Sequence, residues 1–193
     1  ANLTAIPAAN ITGTLPAISG ANLTGISSQG RNLFINGGFD VWQRGTSLTA
    51  ASSYLADRWF NGLSETQTRQ TFTNGQTDVD GFPAYYHRGG GGSTGYYILN
   101  QRIENVIPLG GQTVTLSYWM KGDSGFTNAP YLGQQFGSGG STQTSTALAT
   151  HSVTTSWVRY SQTFTVPSLT GKTLNANPAT TFTEVELVRA NVN

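Results

Sequence analysis

Hydrolysis of a glycosidic bond needs two carboxylates flanking a cleft, about 5 to 9.5 Å apart, one acid and one nucleophile or base. This chain offers nine acids for that work: Asp40, Asp57, Glu65, Asp78, Asp80, Glu104, Asp123, Glu184 and Glu186. No pair of them stands in a recognisable catalytic motif, and Asp78 and Asp80 fall in a loop-like run. The expectation is a protein that is not an enzyme. His87 and His151 lie far apart without ligand spacing and there is no cysteine, so no metal site is expected. Asp40 or Asp57 could contribute to a calcium site, but a turn or ion-pair role is the simpler one. Gly90-Gly91-Gly92-Ser93-Thr94-Gly95 formally satisfies the dinucleotide fingerprint. That fingerprint must open a helix, whereas Tyr96-Tyr97-Ile98-Leu99 follows here and reads as strand. No cofactor is expected.

What remains is binding chemistry. Charged residues make up 10% of the 193-residue chain, against roughly 25% in ordinary soluble domains, and the net charge is +1. Two lysines and eight scattered arginines build no electrostatic footprint for nucleic acid or an anionic membrane. No apolar run is long enough to insert into a bilayer. The polar groups are mostly hydroxyls and amides, which suit neutral polar ligands. A sugar needs an aromatic face for its apolar side and planar polar groups around it. Two sets of residues could supply these. Trp119 and Trp157 fall on the polar register of two alternating segments, beside Lys121 and Arg159, and could form a stacking platform; the same face could instead be buried or packed between chains. The second set sits in loops: Tyr85, Tyr86, His87 and Arg88 before a Gly-rich tip, Tyr96 and Tyr97 after it, and Tyr131, Gln134 and Gln135 further on. The candidates carried forward are Trp119, Trp157, Arg159, His87, Arg88, Tyr96 and Tyr131.

The elements that must position them fall into two parts. Residues 1–30 contain no charge and repeat a phrase: Ala1-Asn2-Leu3-Thr4, Ala9-Asn10-Ile11-Thr12 and Ala21-Asn22-Leu23-Thr24. Pro7, Pro16, Gly13, Gly20 and Gly25 forbid a continuous helix. The apolar Leu3, Ile6, Ile11, Leu15, Ile18, Leu23 and Ile26 have no core of their own, so several chains sharing an axis are expected to bury them. Asn2, Asn10 and Asn22 form Asn-x-Thr sequons; N-glycosylation of a secreted protein is one reading, but all three fall inside the repeat, where Asn and Thr serve turns and side-chain-to-backbone hydrogen bonds. From residue 31 to 193 the apolar period becomes two. Thr113–Lys121 and Trp157–Val166 alternate cleanly, and Phe82–Arg88, Tyr96–Asn105 and Phe182–Arg189 are rich in aromatic and β-branched residues. Gly-rich turns separate them. The expectation is an all-β, antiparallel β-sandwich head of jelly-roll type after a short non-helical shaft.

The head opens with Asn32-Leu33-Phe34-Ile35-Asn36-Gly37-Gly38-Phe39-Asp40-Val41-Trp42-Gln43-Arg44-Gly45-Thr46-Ser47, then Ala56-Asp57-Arg58-Trp59. Further on stand Asn100-Gln101-Arg102-Ile103-Glu104, Leu116-Ser117-Tyr118-Trp119-Met120-Lys121, Gln135-Phe136-Gly137-Ser138-Gly139-Gly140-Ser141, Ser156-Trp157-Val158-Arg159-Tyr160 and a stretch ending Gly171-Lys172-Thr173-Leu174. In this order the blocks resemble the carbohydrate-binding-like head at the distal end of bacteriophage tail fibres, and the repeat resembles the shaft before such heads. The resemblance implies a homotrimeric virion fibre that adsorbs to a bacterial surface polysaccharide. It also implies contacts with other virion tail or baseplate proteins, and a core position for Trp42 and Trp59. The alternative is a structural fibre or baseplate component that binds virion proteins without recognising a glycan; a third reading is an accessory to polysaccharide depolymerisation. In that family more than one strand usually follows the Gly-Lys-Thr-Leu block. Only Thr180–Arg189 remains here, with Phe182–Arg189 its one strand-like segment, so a last strand is expected to be absent or supplied by a neighbouring chain.

Overall fold

A computed structural model describes residues 31–62, 65–90 and 96–191. The chain divides into two units, Ala1–Asn32 and Leu33–Asn193. The shaft expectation for residues 1–30, with its sequons, lies outside the described residues.

The described part is all-β, with thirteen strands and two single-turn 3₁₀ segments at Ile107–Leu109 and Pro178–Thr180. Four short strands come first: β1 (Ser47–Leu48), β2 (Ser53–Tyr54), β3 (Phe60–Asn61) and β4 (Gln67–Thr71). Next are β5 (Tyr85–Gly89), β6 (Tyr96–Glu104), β7 (Thr113–Met120), β8 (Thr127–Asn128) and β9 (Tyr131–Gln135). β10 (Thr144–Ala147), β11 (His151–Ser152), β12 (Val158–Thr165) and β13 (Phe182–Asn191) complete the set. One sheet has six strands in the order β10-β9-β13-β6-β3-β2; β1-β4-β5 form a second, and β12-β7 and β11-β8 are two-stranded ribbons. Every pairing is antiparallel.

The core lies between the six-stranded sheet and the β7–β12 ribbon. From the sheet come Tyr97, Leu99, Leu132, Val185 and Leu187, and from the ribbon Leu116 and Tyr118, with Val114, Met120, Tyr160 and Phe164 packed behind. Alternation explains the ribbon: Thr113–Met120 pairs residue for residue with Thr165–Val158, so one face collects its apolar side chains and the other its hydroxyls. β13 is central, and the register slips between Glu186 and Val188, a β-bulge that accommodates Leu187 and Val188, both buried, as successive residues. β13, the last of the described strands in sequence, sits in the middle of its sheet, hydrogen-bonded to β6 on one side and β9 on the other.

The opening blocks act as one clamp. The Gln101 amide accepts from Ile35 N (2.8 Å) and donates to Ile35 O (2.9 Å), tying the first segment to β6. Asn36, at φ 56, is a residue type that tolerates the left-handed region. Its amide donates to the carbonyls of Val41 and Asp57, each at 3.0 Å, and accepts from Val41 N at 3.0 Å. Trp59 is 2% exposed, packs on Phe34 and Phe39, and donates Nε1–H to Asn36 O at 2.9 Å. Trp42 is half-buried, stacks on His87 and donates to Phe39 O. Asp57 accepts from Gln43 N at 3.2 Å and pairs with Arg44 at 3.5 Å, which gives it the turn and ion-pair role.

Candidate functional site

Three places on the head could serve as a site, and the residues singled out from the sequence fall mainly at the first two. The first is the outer face of the β7–β12 ribbon. Thr113 meets Thr165 (3.3 Å between hydroxyls), Thr115 meets Thr163 (2.8 Å), and the exposed Arg159 donates to Ser117 Oγ (3.2 Å). Trp119 ends this row, half-buried and opposite Arg159. Trp157 does not join it as a bare platform. It lies just before β12, its ring 5.3 Å from Phe72 and 5.2 Å, edge-on, from Tyr86, with Lys121 Nζ 5.3 Å from its centre.

The second place is the aromatic interior beneath the β1-β4-β5 sheet. His87 is on β5, not in a loop. Its ring stacks on Trp42 at 6.1 Å and lies beside Phe39 and Tyr97. Gln67 Oε1 lies 2.7 Å from Nε2, and the Tyr97 hydroxyl 3.1 Å from Nδ1. A neutral imidazole satisfies both contacts: Nε2–H donates to the amide oxygen and Nδ1 accepts from the phenol. Burial pushes the imidazole from 6.5 down to about 3, and the Tyr97 phenol well above 10. His87 is therefore a neutral structural residue at ordinary pH. Arg88, its neighbour, is exposed, and Tyr131 is half-buried at the start of β9 opposite Ala147 and Glu186. Tyr96 opens β6; its side chain lies outside the described residues.

The close approach of Tyr97 depends on Gly89. A Cβ added there would meet Tyr97 Cζ at 2.2 Å and its hydroxyl at 2.5 Å. Gly89→Ala is expected to displace the ring and destabilise the head by about 1–3 kcal/mol, measured as a lower urea midpoint with an unchanged slope. An unaltered midpoint would mean the ring has room to move.

The third place is the tip joining β4 to β5, which sequence reasoning missed. A hollow of about 400 Å³ opens there, lined by Phe72, Phe82 and Tyr85 with Thr71, Asn74 and Gln76, and no charged residue lines it. Phe82 is 74% exposed and adopts φ 49. A bulky aromatic in the left-handed region is strained, and such strain clusters at ligand clamps. The frame around it is fixed. Phe72 N donates to Ala84 O at 3.0 Å, and the Gln76 amide donates to Val79 O (3.0 Å) and accepts from Val79 N (2.9 Å). Phe72 is backed by Tyr86 at 4.7 Å and by Trp157, and Tyr85 carries the Arg69 guanidinium at 4.3 Å. So Trp157, read as part of a sheet platform, buttresses this hollow. The sequence grouped Phe82 with the strand; Gly81 before it and Pro83 after it were the available signal that it belongs to a turn.

Among the described residues no three His, Cys, Asp or Glu side chains gather to hold a metal ion, and no helix is long and apolar enough to cross a membrane. No family model matches the chain, and no curated protein matches it. Among solved structures it is similar to the N-terminal CBM22-1–CBM22-2 tandem domain from Paenibacillus barcinonensis Xyn10C, at 13% identity and a TM-score of 0.45. That alignment takes in 70% of this chain and 46% of the tandem, so the chain spans less than half its length. The CBM22-2 xylan-binding domain of the same protein aligns at 13% identity and a TM-score of 0.45, over 70% of this chain and 92% of that one. At this overlap the likeness assigns neither ligand nor site residues.

Proposed function

We propose that the chain is the distal part of a bacteriophage tail fibre, and that its head adsorbs without catalysis to a neutral glycan of the bacterial surface. The observation that carries the binding reading is Phe82, exposed and strained at the lip of an uncharged hollow that also holds Phe72 and Tyr85. Exposed aromatic rings stack on the apolar face of a pyranose, while neighbouring amides and hydroxyls take up its hydroxyl groups. The missing charge fits a neutral sugar and disfavours an anionic one. The tail-fibre reading rests on the ordered sequence blocks and the uncharged repeat, with the fibre a homotrimer in the virion that also meets tail or baseplate proteins.

The test is binding of the full chain to host-cell envelopes and to an array of neutral surface glycans. Phe82→Ala is expected to weaken binding about tenfold, equivalent to about 1.4 kcal/mol, with the urea midpoint unchanged. Loss on Trp119→Ala with Phe82→Ala silent would move the site to the ribbon face. Absence of any glycan or envelope binding would favour the structural virion component instead. Light scattering tests the fibre: a monomeric chain would overturn the shared-axis reading of residues 1–30.

A further inference from the structure

A second hollow, of about 290 Å³, lies on the six-stranded sheet and is lined by Tyr54, Arg58, Arg102, Glu104, Thr180 and Phe182 among others. Its chemistry is the opposite of the hairpin hollow, because it concentrates charge in a chain that has little. The Arg102 guanidinium lies over two rings, 4.5 Å from the centre of Phe182 and 5.2 Å from that of Phe60, and its Nε donates to Glu184 at 3.2 Å. Nε is thereby used, and the two Nη groups make no hydrogen bond among the described residues. The Arg102 side chain is 42% exposed, whereas the Glu184 side chain is 10% exposed and fixed. Arg58 adopts φ 72, in the left-handed region, and one Nη donates to Arg102 O at 3.3 Å and to Glu104. Glu104 is the outermost member, its side chain 63% exposed.

We propose that this hollow binds the carboxylate of an acidic sugar, a hexuronate unit, through Arg102 and Arg58, and that Glu104 is the resident carboxylate it displaces. A guanidinium presents planar, paired donors that match a carboxylate, and Arg102 is already held by its two ring contacts and by Glu184. Glu104 sits on Arg58 as a ligand carboxylate would, at the end of a side chain free to swing into water. The Tyr54 ring, 37% exposed, braced by Phe60 at 5.1 Å in an edge arrangement and with the Arg44 guanidinium 5.8 Å from its centre, offers the sugar ring its exposed part, which favours a uronate over an acidic peptide. The volume lies at the low end for ligand sites, about 300 Å³, and suits one sugar ring. The site is separate from the hairpin hollow and stands without it.

The probes are the methyl glycosides of glucuronate and galacturonate, those of glucose and galactose, acetate, and a short Asp/Glu peptide, titrated against the full chain by NMR. Both or one of the uronides is expected to bind at least about tenfold more tightly than its neutral counterpart, and more weakly as salt is raised. Glu104→Gln frees Arg58 and is expected to tighten uronide binding several-fold. Arg102→Lys keeps the charge, loses the fork, and is expected to weaken it about tenfold; Phe82→Ala leaves it unchanged. Equal binding of neutral glycosides, no binding of either uronide, or weaker binding in Glu104→Gln would overturn the proposal. Acetate or the peptide binding as tightly as the uronides would overturn the assignment to a sugar.

Discussion

Acidification from pH 6.5 to 4.5 is expected to cost the head about 2 kcal/mol of stability, with a slope that steepens toward about 1.4 kcal/mol per pH unit, through His87 alone. Although the residue is half-buried, its two nitrogens face Gln67 and Tyr97, and no acid stands among the groups that hold it. The folded pKa lies at about 3 against an ordinary 6.5, so between these values the unfolded chain binds the proton and the folded one does not. Stability from this group is complete above pH 6.5 and is lost as pH falls toward 3. Unpaired carboxylates titrate mainly below about 4.5, so the upper part of the window reports the imidazole. Urea midpoints followed by tryptophan fluorescence across this range measure the slope. In His87→Gln the slope is expected to flatten while the fold persists. A wild-type profile flat between pH 6.5 and 4.5 would mean that the imidazole takes up its proton in place.

Trp59→Ala is expected to have the largest effect of any single truncation in the head, about 3–5 kcal/mol. The indole is 2% exposed and packs 5.3 Å from Phe34 and 5.0 Å from Phe39. Removing it leaves a cavity and deletes one of the two donors to the Asn36 carbonyl, which keeps only Phe39 N–H. Asn36 orients Val41 and Asp57, and Phe39 lies against Trp42 and His87, so the loss spreads through the whole opening clamp. Urea or thermal unfolding measures the cost; a loss below about 1 kcal/mol would show that the opening segment is not part of the cooperative core.

Much of the fold was legible because alternation is a local signal. Thr113–Lys121 and Trp157–Val166 read as partners with an apolar and a hydroxyl face, and their pairing has that form. The short strands of two to five residues, β1–β4 and β8–β11, were not anticipated. Segments such as Ser47–Leu48 or Thr144–Ala147 carry no periodicity, and are strands only because a neighbour supplies their hydrogen bonds. The sites were harder. Strand register grouped Trp119 with Trp157, but the second is engaged by Phe72 and Tyr86, more than seventy positions earlier. His87 looked like a loop residue because Gly-rich sequence follows, yet its contacts to Trp42 and Gln67 come from separate parts of the chain. Phe82 was assigned to a strand because hydrophobicity cannot distinguish a buried ring from one held outward by a left-handed backbone.

The place of β13 has a consequence for biosynthesis. It is the latest of the described strands in sequence, yet it separates β9 from β6, so the six-stranded sheet has no middle until residues 182–191 have emerged from the ribosome. Chains are synthesised N-terminus first, and pairings across long sequence separations form slowly. Until then β6 and β9 expose open edges rich in Leu, Tyr and Gln, the form in which nascent β-chains are captured by one another or by chaperones. Production of this head should therefore respond strongly to translation rate and temperature, and truncation even a few residues into β13 should yield insoluble chain.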